Sequence, residues 1–124
     1  AKQVEKVLSI FLTKKDLMKR DLVYAVVLKD TDQLIGYAGV TYVKEFDSYE
    51  IKYGFNESYW NKGYATEAAK KMIDVASALG HKKLIALADV NNLASQNIII
   101  KIGYHKVSRI NLWGLDLYYY EMDI

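Results

Sequence analysis

The 124-residue chain contains no cysteine, which excludes disulfides, thiolate metal sites and a cysteine nucleophile. Its two histidines, His81 and His105, lie far apart and lack the spacing of metal ligands, so we expect no metal. No apolar run approaches the length of a membrane span and no signal peptide is visible, so we expect no membrane partner. The lack of cysteine fits a reducing compartment, and we predict a cytoplasmic location.

An excess of one sign of charge is also missing. The chain has 17 basic and 15 acidic residues, and its basic runs, such as Lys14-Lys15, are only pairs. This balance predicts no nucleic-acid partner. A hydrophobic fraction of 52% suits one packed core and no linker divides the chain, so we expect residues 1–124 to form a single domain. Because the chain starts at Ala1 without a methionine, we expect this domain to be incomplete at its N-terminus.

Hydrophobic periodicity predicts the order helix, three strands, helix, strand, helix and two strands. Helical spacing of Val4, Val7, Leu8 and Phe11 indicates the first helix, over residues 2–20. The strands are predicted over residues 22–29, 34–43, 48–55, 83–89, 104–110 and 115–122, and the later helices over residues 65–79 and 94–102. This order favours an α/β fold, a mixed sheet of about six strands with helices on both faces and its last two strands antiparallel.

A glycine-containing turn precedes the second helix, in the stretch Tyr59-Trp60-Asn61-Lys62-Gly63-Tyr64-Ala65-Thr66-Glu67-Ala68. The first N–H groups of a helix have no partner inside it and lie at the positive end of its dipole, so they bind anions. The chain has no Walker A loop, and the turn lacks the third glycine of a Rossmann fingerprint. We therefore interpret the turn as a phosphate cradle of another kind.

Two separated motifs resemble one family. The first joins the alternating strand over residues 48–55 to the turn and the helix opening, and the second is Asn92-x-x-Ser95 followed by Lys101-Ile102-Gly103-Tyr104. In this order they resemble the GNAT superfamily of acetyl-CoA-dependent N-acetyltransferases, and most closely the ribosomal-protein-alanine N-acetyltransferases. The resemblance covers about residues 22–122. It implies acetyl-CoA (coenzyme A) as cosubstrate and a primary amine, from a protein N-terminus or a small molecule, as acceptor.

The resemblance also implies which residues bind the cofactor. The turn would bind the pyrophosphate of coenzyme A through backbone N–H groups, and the pantetheine arm would pair with exposed backbone of the strand that ends at Phe55. Asn92 serves equally as a helix cap. Asn97 would contact the cofactor or else face solvent, and Lys62 is interpreted first as a solvated side chain that could add charge. The full set is Tyr53, Gly54, Phe55, Asn61, Lys62, Gly63, Tyr64, Ala65, Thr66, Asn92 and Asn97.

For catalysis, the resemblance indicates Ser95 and Glu50. Ser95 would protonate or hydrogen-bond the leaving thiolate, or else it would only cap its helix. Glu50 would accept a proton from the incoming ammonium, directly or through water, or else it would be an exposed strand residue that pairs with Lys52. Many enzymes of the superfamily use a tyrosine at the position of Ile99, which has no proton to give.

Three departures from the family pattern stand beside the resemblance. The first family strand is missing, Trp60 stands where Gln or Arg is frequent in the wider superfamily, and Lys52 stands where this branch commonly has glycine. The leading hypothesis is an N-acetyltransferase in which the amine attacks the thioester directly. The alternatives are a catalytically inactive acetyl-CoA-binding sensor or partner module and a nucleotide-binding protein unrelated to acetyl transfer. Exposed strand edges also make a homodimer an open expectation.

Overall fold

The computed structural model describes residues 8–15 and 21–124, which form one seven-stranded sheet and two α-helices. The strands are β1 (Leu8–Lys15), β2 (Leu22–Leu28), β3 (Leu34–Val43), β4 (Ser48–Phe55), β5 (Lys83–Asp89), β6 (His105–Leu112) and β7 (Leu115–Asp123). The helices are α1 (Tyr64–Ala78) and α2 (Leu93–Lys101), and short 3₁₀ turns cover Lys44–Phe46 and Glu57–Tyr59. From β2 onward, the elements begin and end close to where the sequence predicted them.

The first predicted helix is wrong where the structure describes it. Residues 8–15 form β1, which pairs antiparallel with β2 from Leu8/Leu28 to Lys15/Leu22. The side chain of Leu8 is buried in the core under the sheet. The core fixes β2, and residues 8–15 form backbone hydrogen bonds with it. This pairing outweighs the helical spacing of the apolar residues, because local helix preference is weak. β1 occupies a sheet edge that the sequence analysis left without a strand, and residues 2–7 and 16–20 of that predicted helix lie outside the described residues.

The centre of the sheet is held together unevenly. The strand order is β1-β2-β3-β4-β5-β7-β6, and β4 and β5 are its parallel neighbours. β3 and β4 pair along the whole of β4, from Val43/Ser48 to Gly36/Phe55. By contrast, β4 and β5 pair only at Glu50/Ile85 within the described part of the sheet. The two central strands therefore diverge beyond this point, and the sheet opens between them.

The two helices pack on the same face of the sheet. α1 buries Met72 and α2 buries Ile99 in the cluster that also contains Ala86 of β5. Ile85, the neighbour of Ala86, points to the other face and belongs to a second, smaller cluster with Tyr119. The mixed sheet and its antiparallel final pair are confirmed, with seven strands instead of about six. In the part of the chain that the structure describes, α1 and α2 both bury apolar residues in the cluster that contains Ala86 of β5.

The core under α1 gives a stability prediction. Met72 is 1% exposed, so Met72→Ala leaves a cavity and should lower the free energy of unfolding by about 2–5 kcal/mol. Urea denaturation followed by circular dichroism measures this change. Leu79→Ala, at the exposed end of the same helix, is the control and should change stability by less than about 0.5 kcal/mol. Equal losses in the two variants would contradict the packing of α1 on the sheet.

Candidate functional site

The opening between β4 and β5 forms a cavity of about 250 Å³, here called the sheet cavity. Two of the residues predicted to act in catalysis, Glu50 and Ser95, line it together with Tyr53. They come from different elements, and the divergence of the central strands brings them to one place. The other lining residues are Tyr37, Ile51, Lys52, Ala86, Leu87, Ile99, Ile102 and Tyr104.

Glu50 is the carboxyl group of the sheet cavity. It lies where β4 and β5 last pair, and its side chain is 14% exposed. Burial raises the pKa of this carboxyl above its ordinary value of 4.5, and the positive charge of Lys52, whose Nζ lies 4.0 Å from Glu50 Oε2, works in the opposite direction. A largely buried carboxylate with a raised pKa has the properties of a general base.

Two hydroxyl groups face each other across the sheet cavity. Burial raises the pKa of the Tyr53 hydroxyl, and its interaction with the Ser95 side chain opposes the rise. The backbone N–H of Ser95 donates to Asn92 Oδ1 at 3.1 Å, so Asn92 is the side chain that caps α2. The cap holds the first turn of α2 in place and leaves the Ser95 hydroxyl free to face Tyr53.

Tyr104, which is buried, also lines the sheet cavity and was not predicted as a site residue from the sequence. Its buried hydroxyl donates to the carbonyl oxygen of Ile85 at 3.3 Å, at the position where β5 last pairs with β4. Burial raises the pKa of Tyr104, and the negative charge of Glu50 adds to the rise. The hydroxyl therefore stays protonated as a donor. The Lys101-Ile102-Gly103-Tyr104 motif was the signal that could have found it.

A second cavity, of about 460 Å³, lies at the glycine-containing turn and is here called the turn cavity. Tyr53 and Phe55, two residues apart on the same face of β4, line the sheet cavity and the turn cavity respectively. α2 contributes to both, through Ser95 in one and Asn97 in the other. The turn cavity is lined by Phe55, Tyr59, Trp60, Asn61, Gly63, Tyr64, Ala65, Thr66, Ala94, Asn97, Ile98 and Lys101.

The turn presents the start of α1 to the turn cavity. Asn61 and Gly63 have positive φ angles of 61° and 82°, conformations that asparagine and glycine adopt most easily. The first helical hydrogen bond runs from Glu67 N–H to the Gly63 carbonyl at 3.0 Å, and the Gly63 cap supplies no side-chain acceptor. The N–H groups of residues 64–66 thus precede the helical ladder and lie at the positive end of the helix dipole.

One side chain ties this turn to the end of β4. The indole Nε1 of Trp60 donates to the Phe55 carbonyl oxygen at 2.9 Å. This carbonyl belongs to the part of β4 that has separated from β5, so the indole supplies a partner that the sheet does not. The bond fixes the turn against the mouth of the opening between the strands.

The predicted cofactor residues divide by position. Most line the two cavities, namely Tyr53, Phe55, Asn61, Gly63, Tyr64, Ala65, Thr66 and Asn97, whereas Gly54, Lys62 and Asn92 line neither. Lys62 is exposed to solvent, and the cation at the turn cavity is instead Lys101, from the last turn of α2. Gly54 lies under the Tyr37 ring, where an added Cβ would come within 2.5 Å of Tyr37 Cε1.

Over residues 8–15 and 21–124, no group of three or more histidine, cysteine, aspartate or glutamate side chains is arranged to hold a metal ion. Neither of the helices in that part of the chain is long and apolar enough to cross a membrane.

Known proteins match this chain in sequence and in fold. The acetyltransferase (GNAT) domain family matches residues 1–105. The uncharacterized N-acetyltransferase YnaD of Bacillus subtilis (strain 168) is 34% identical over 109 residues, which cover 80% of this chain and 62% of YnaD. The chain thus spans less than two thirds of the length of that relative.

Solved structures share the fold of this chain. An acetyltransferase of the GNAT family from Bacillus anthracis has a TM-score of 0.72 at 26% identity, covering 87% of this chain and 68% of that one. The ribosomal L7/L12 alpha-N-protein acetyltransferase, solved in complex with coenzyme A, has a TM-score of 0.72 at 15% identity, covering 85% of this chain and 63% of that one. By its sequence match and its mixed seven-stranded sheet, this chain belongs to the GNAT acetyltransferase family.

Proposed function

We propose that the protein transfers an acetyl group from acetyl-CoA to a primary amine. The observation that carries the proposal is that β4 and α2 each contribute residues to two unlike cavities. The turn cavity offers the N–H groups at the start of α1, and the sheet cavity offers the largely buried carboxyl of Glu50 and the hydroxyls of Tyr53 and Ser95. A phosphate-bearing thioester extended from one cavity to the other would bring its reactive end to the proton-transferring groups.

The turn cavity fits the pyrophosphate of coenzyme A. N–H groups at the start of a helix attract anions, and Lys101 adds a positive charge at the same cavity. From there, the opening between β4 and β5 leads past Phe55 to Tyr53, along backbone that does not pair with β5. The complex of the ribosomal L7/L12 alpha-N-protein acetyltransferase with coenzyme A supports this choice of cosubstrate.

The chemistry follows from the groups of the sheet cavity. Glu50 accepts a proton from the acceptor ammonium, directly or through water, because only the neutral amine has a lone pair. The amine nitrogen then bonds to the thioester carbon, and a backbone N–H of residues 53–55 stabilises the charge that develops on the oxygen. As the C–S bond breaks, the hydroxyl of Ser95 or Tyr53 donates a proton to the departing thiolate, and the second proton that the attacking nitrogen loses on becoming an amide passes through water to that hydroxyl. Since a thiol has a pKa of about 8.5, this last step needs little assistance.

One observation favours the alternative of an inactive acetyl-CoA-binding module. Ile99 is 4% exposed, lines the sheet cavity and supplies no proton where many enzymes of the family have a tyrosine. This alternative predicts acetyl-CoA binding without thiol release in the presence of any amine. The cytoplasmic location, the homodimer and the extent of the domain stay predictions from the sequence.

Glu50→Gln should lower kcat by about a hundredfold or more, the range for loss of a general base. The wild type should gain activity as the pH rises through the raised pKa of Glu50, because the base acts when deprotonated, and the variant should lose this acid limb. Steady-state thiol release across pH measures both effects. Glu57→Gln, an exposed glutamate outside both cavities, is the control. A Glu50→Gln variant that keeps wild-type kcat would rule out this base.

Ala65→Asp should weaken acetyl-CoA binding by about tenfold or more, since like charges a few ångström apart cost on the order of 1–4 kcal/mol near a protein surface. An acidic residue in the first turn of a helix favours the helix itself, so the variant should stay folded. Calorimetric titration with acetyl-CoA measures the loss. Ser58→Asp adds the same charge at an exposed position that lines neither cavity. Equal weakening in both variants would mean that the start of α1 does not hold the phosphates.

Ser95→Ala and Tyr53→Phe should each lower kcat by only about tenfold, because a thiolate is already a fair leaving group. If the two hydroxyls act as one donor, the double variant should transfer acetyl no more slowly than the slower of the two single variants. Single-turnover acetyl transfer measures the rate of the chemical step. Losses that multiply in the double variant would show that the hydroxyls act separately.

A further inference from the structure

The sheet cavity holds one carboxylate and one ammonium side by side. Glu50 and Lys52 are two residues apart on the same face of β4, and both line the cavity. Lys52 Nζ lies 4.0 Å from Glu50 Oε2, which is beyond hydrogen-bond length. The two groups are therefore close enough to bind one small molecule together, yet the Lys52 ammonium keeps its donors available toward that molecule.

The two groups differ in how far they reach into solvent. The side chain of Lys52 is 57% exposed, whereas that of Glu50 is 14% exposed. An acceptor that enters from solvent meets Lys52 first and Glu50 deeper. Among the described residues that line the sheet cavity, Lys52 is the sole lysine or arginine and Glu50 is the sole acidic residue.

Resting on the proposed function, we propose that the acceptor is an amine that carries an anionic group a few ångström from its nitrogen. Glu50 takes the proton from the ammonium, and Lys52 binds the neighbouring carboxylate of the same molecule. A free amino acid and a peptide that begins with an acidic residue share this chemistry. Amines that carry only further positive charge place a cation beside Lys52 and are disfavoured.

The walls of the cavity fit a small acceptor or the end of a chain. The cavity measures about 250 Å³, and the reacting end of the thioester takes part of that space. Tyr37, which pairs with Gly54 across β3 and β4, forms one wall and remains 47% exposed. Gly54 has no side chain, so the Tyr37 ring lies close over the backbone of β4. The wall narrows the entrance beside Glu50 and Lys52.

Lys52 has a second possible role, which the test must separate from acceptor binding. Its positive charge opposes the rise in the pKa of Glu50. If this were its whole role, replacing Lys52 would shift the pH profile for all acceptors alike. If Lys52 binds the acceptor, the effect of its replacement depends on whether the acceptor carries an anion.

The experiment compares matched acceptors that differ only in that anion. The small pair is glycine and glycinamide, and the peptide pair is Asp-Ala-Ala-amide and Asn-Ala-Ala-amide. For Lys52→Gln, we expect kcat/KM to fall by about threefold to tenfold with the anionic member, mainly through KM, the range for a charged contact at a partly exposed site. The neutral member should change by less than about twofold. Lys52→Glu should reverse the preference, and Lys70→Gln, on the exposed face of α1, should change neither member.

For each acceptor, kcat/KM of the variant is divided by kcat/KM of the wild type. This ratio removes the effect of differing amine basicity, because both proteins act on the same amine. A larger difference between anionic and neutral members in the glycine pair indicates a free amino acid as acceptor. A larger difference in the peptide pair indicates a peptide N-terminus. Equal losses of kcat/KM with both members of a pair would overturn the proposal, whether or not the pH profile also shifts, and would leave the acetyl transfer in place. If the wild type releases no thiol with any acceptor, the proposed function itself fails. Calorimetry of acceptor binding to the protein saturated with coenzyme A measures the preference for the anionic member without turnover. Equal affinity for the anionic and neutral members would overturn the proposal.

Discussion

The single paired position between β4 and β5, at Glu50 and Ile85, is the constraint on which the site depends. Beyond it, backbone groups that would pair in a closed sheet face an opening, and unpaired buried groups are costly. Two side chains compensate at its borders. The Tyr104 hydroxyl donates to Ile85, and the Trp60 indole donates to Phe55. The opening is therefore a stable part of the fold, and the remaining backbone groups along it are available to a ligand.

The same opening separates two electrostatic environments. At the turn, the free N–H groups that open α1 and the ammonium of Lys101 favour anions. At the sheet cavity, burial disfavours the charged form of Glu50 and keeps the hydroxyls of Tyr53 and Tyr104 protonated. A ligand with phosphates at one end and a neutral thioester at the other matches this gradient. Both environments lie along β4 and α2, so these two rigid elements fix the distance between them.

Prediction from the sequence succeeded where local chemistry decides the structure. The alternation over residues 48–55, the turn at Gly63 and the cap at Asn92 each act within a few residues, and β4, α1 and α2 form accordingly. It failed at residues 8–15, where helical spacing of apolar residues was overridden by pairing with β2. It also missed Tyr37 and Lys101 as lining residues, because each reaches its cavity through the position of an element distant in sequence.

The sequence by itself determined the family, the order of the elements from β2 onward and the turn that exposes the start of α1. These features depend on dihedral preferences, capping and hydrophobic periods, which are short-range. Only the tertiary structure decided that β4 and β5 separate after Glu50, that Ser95 meets Tyr53, and that Lys52 stands beside Glu50 at the mouth of a cavity. Those relations depend on how far two strands run side by side and on which side chains the opening brings together, and no local pattern encodes that.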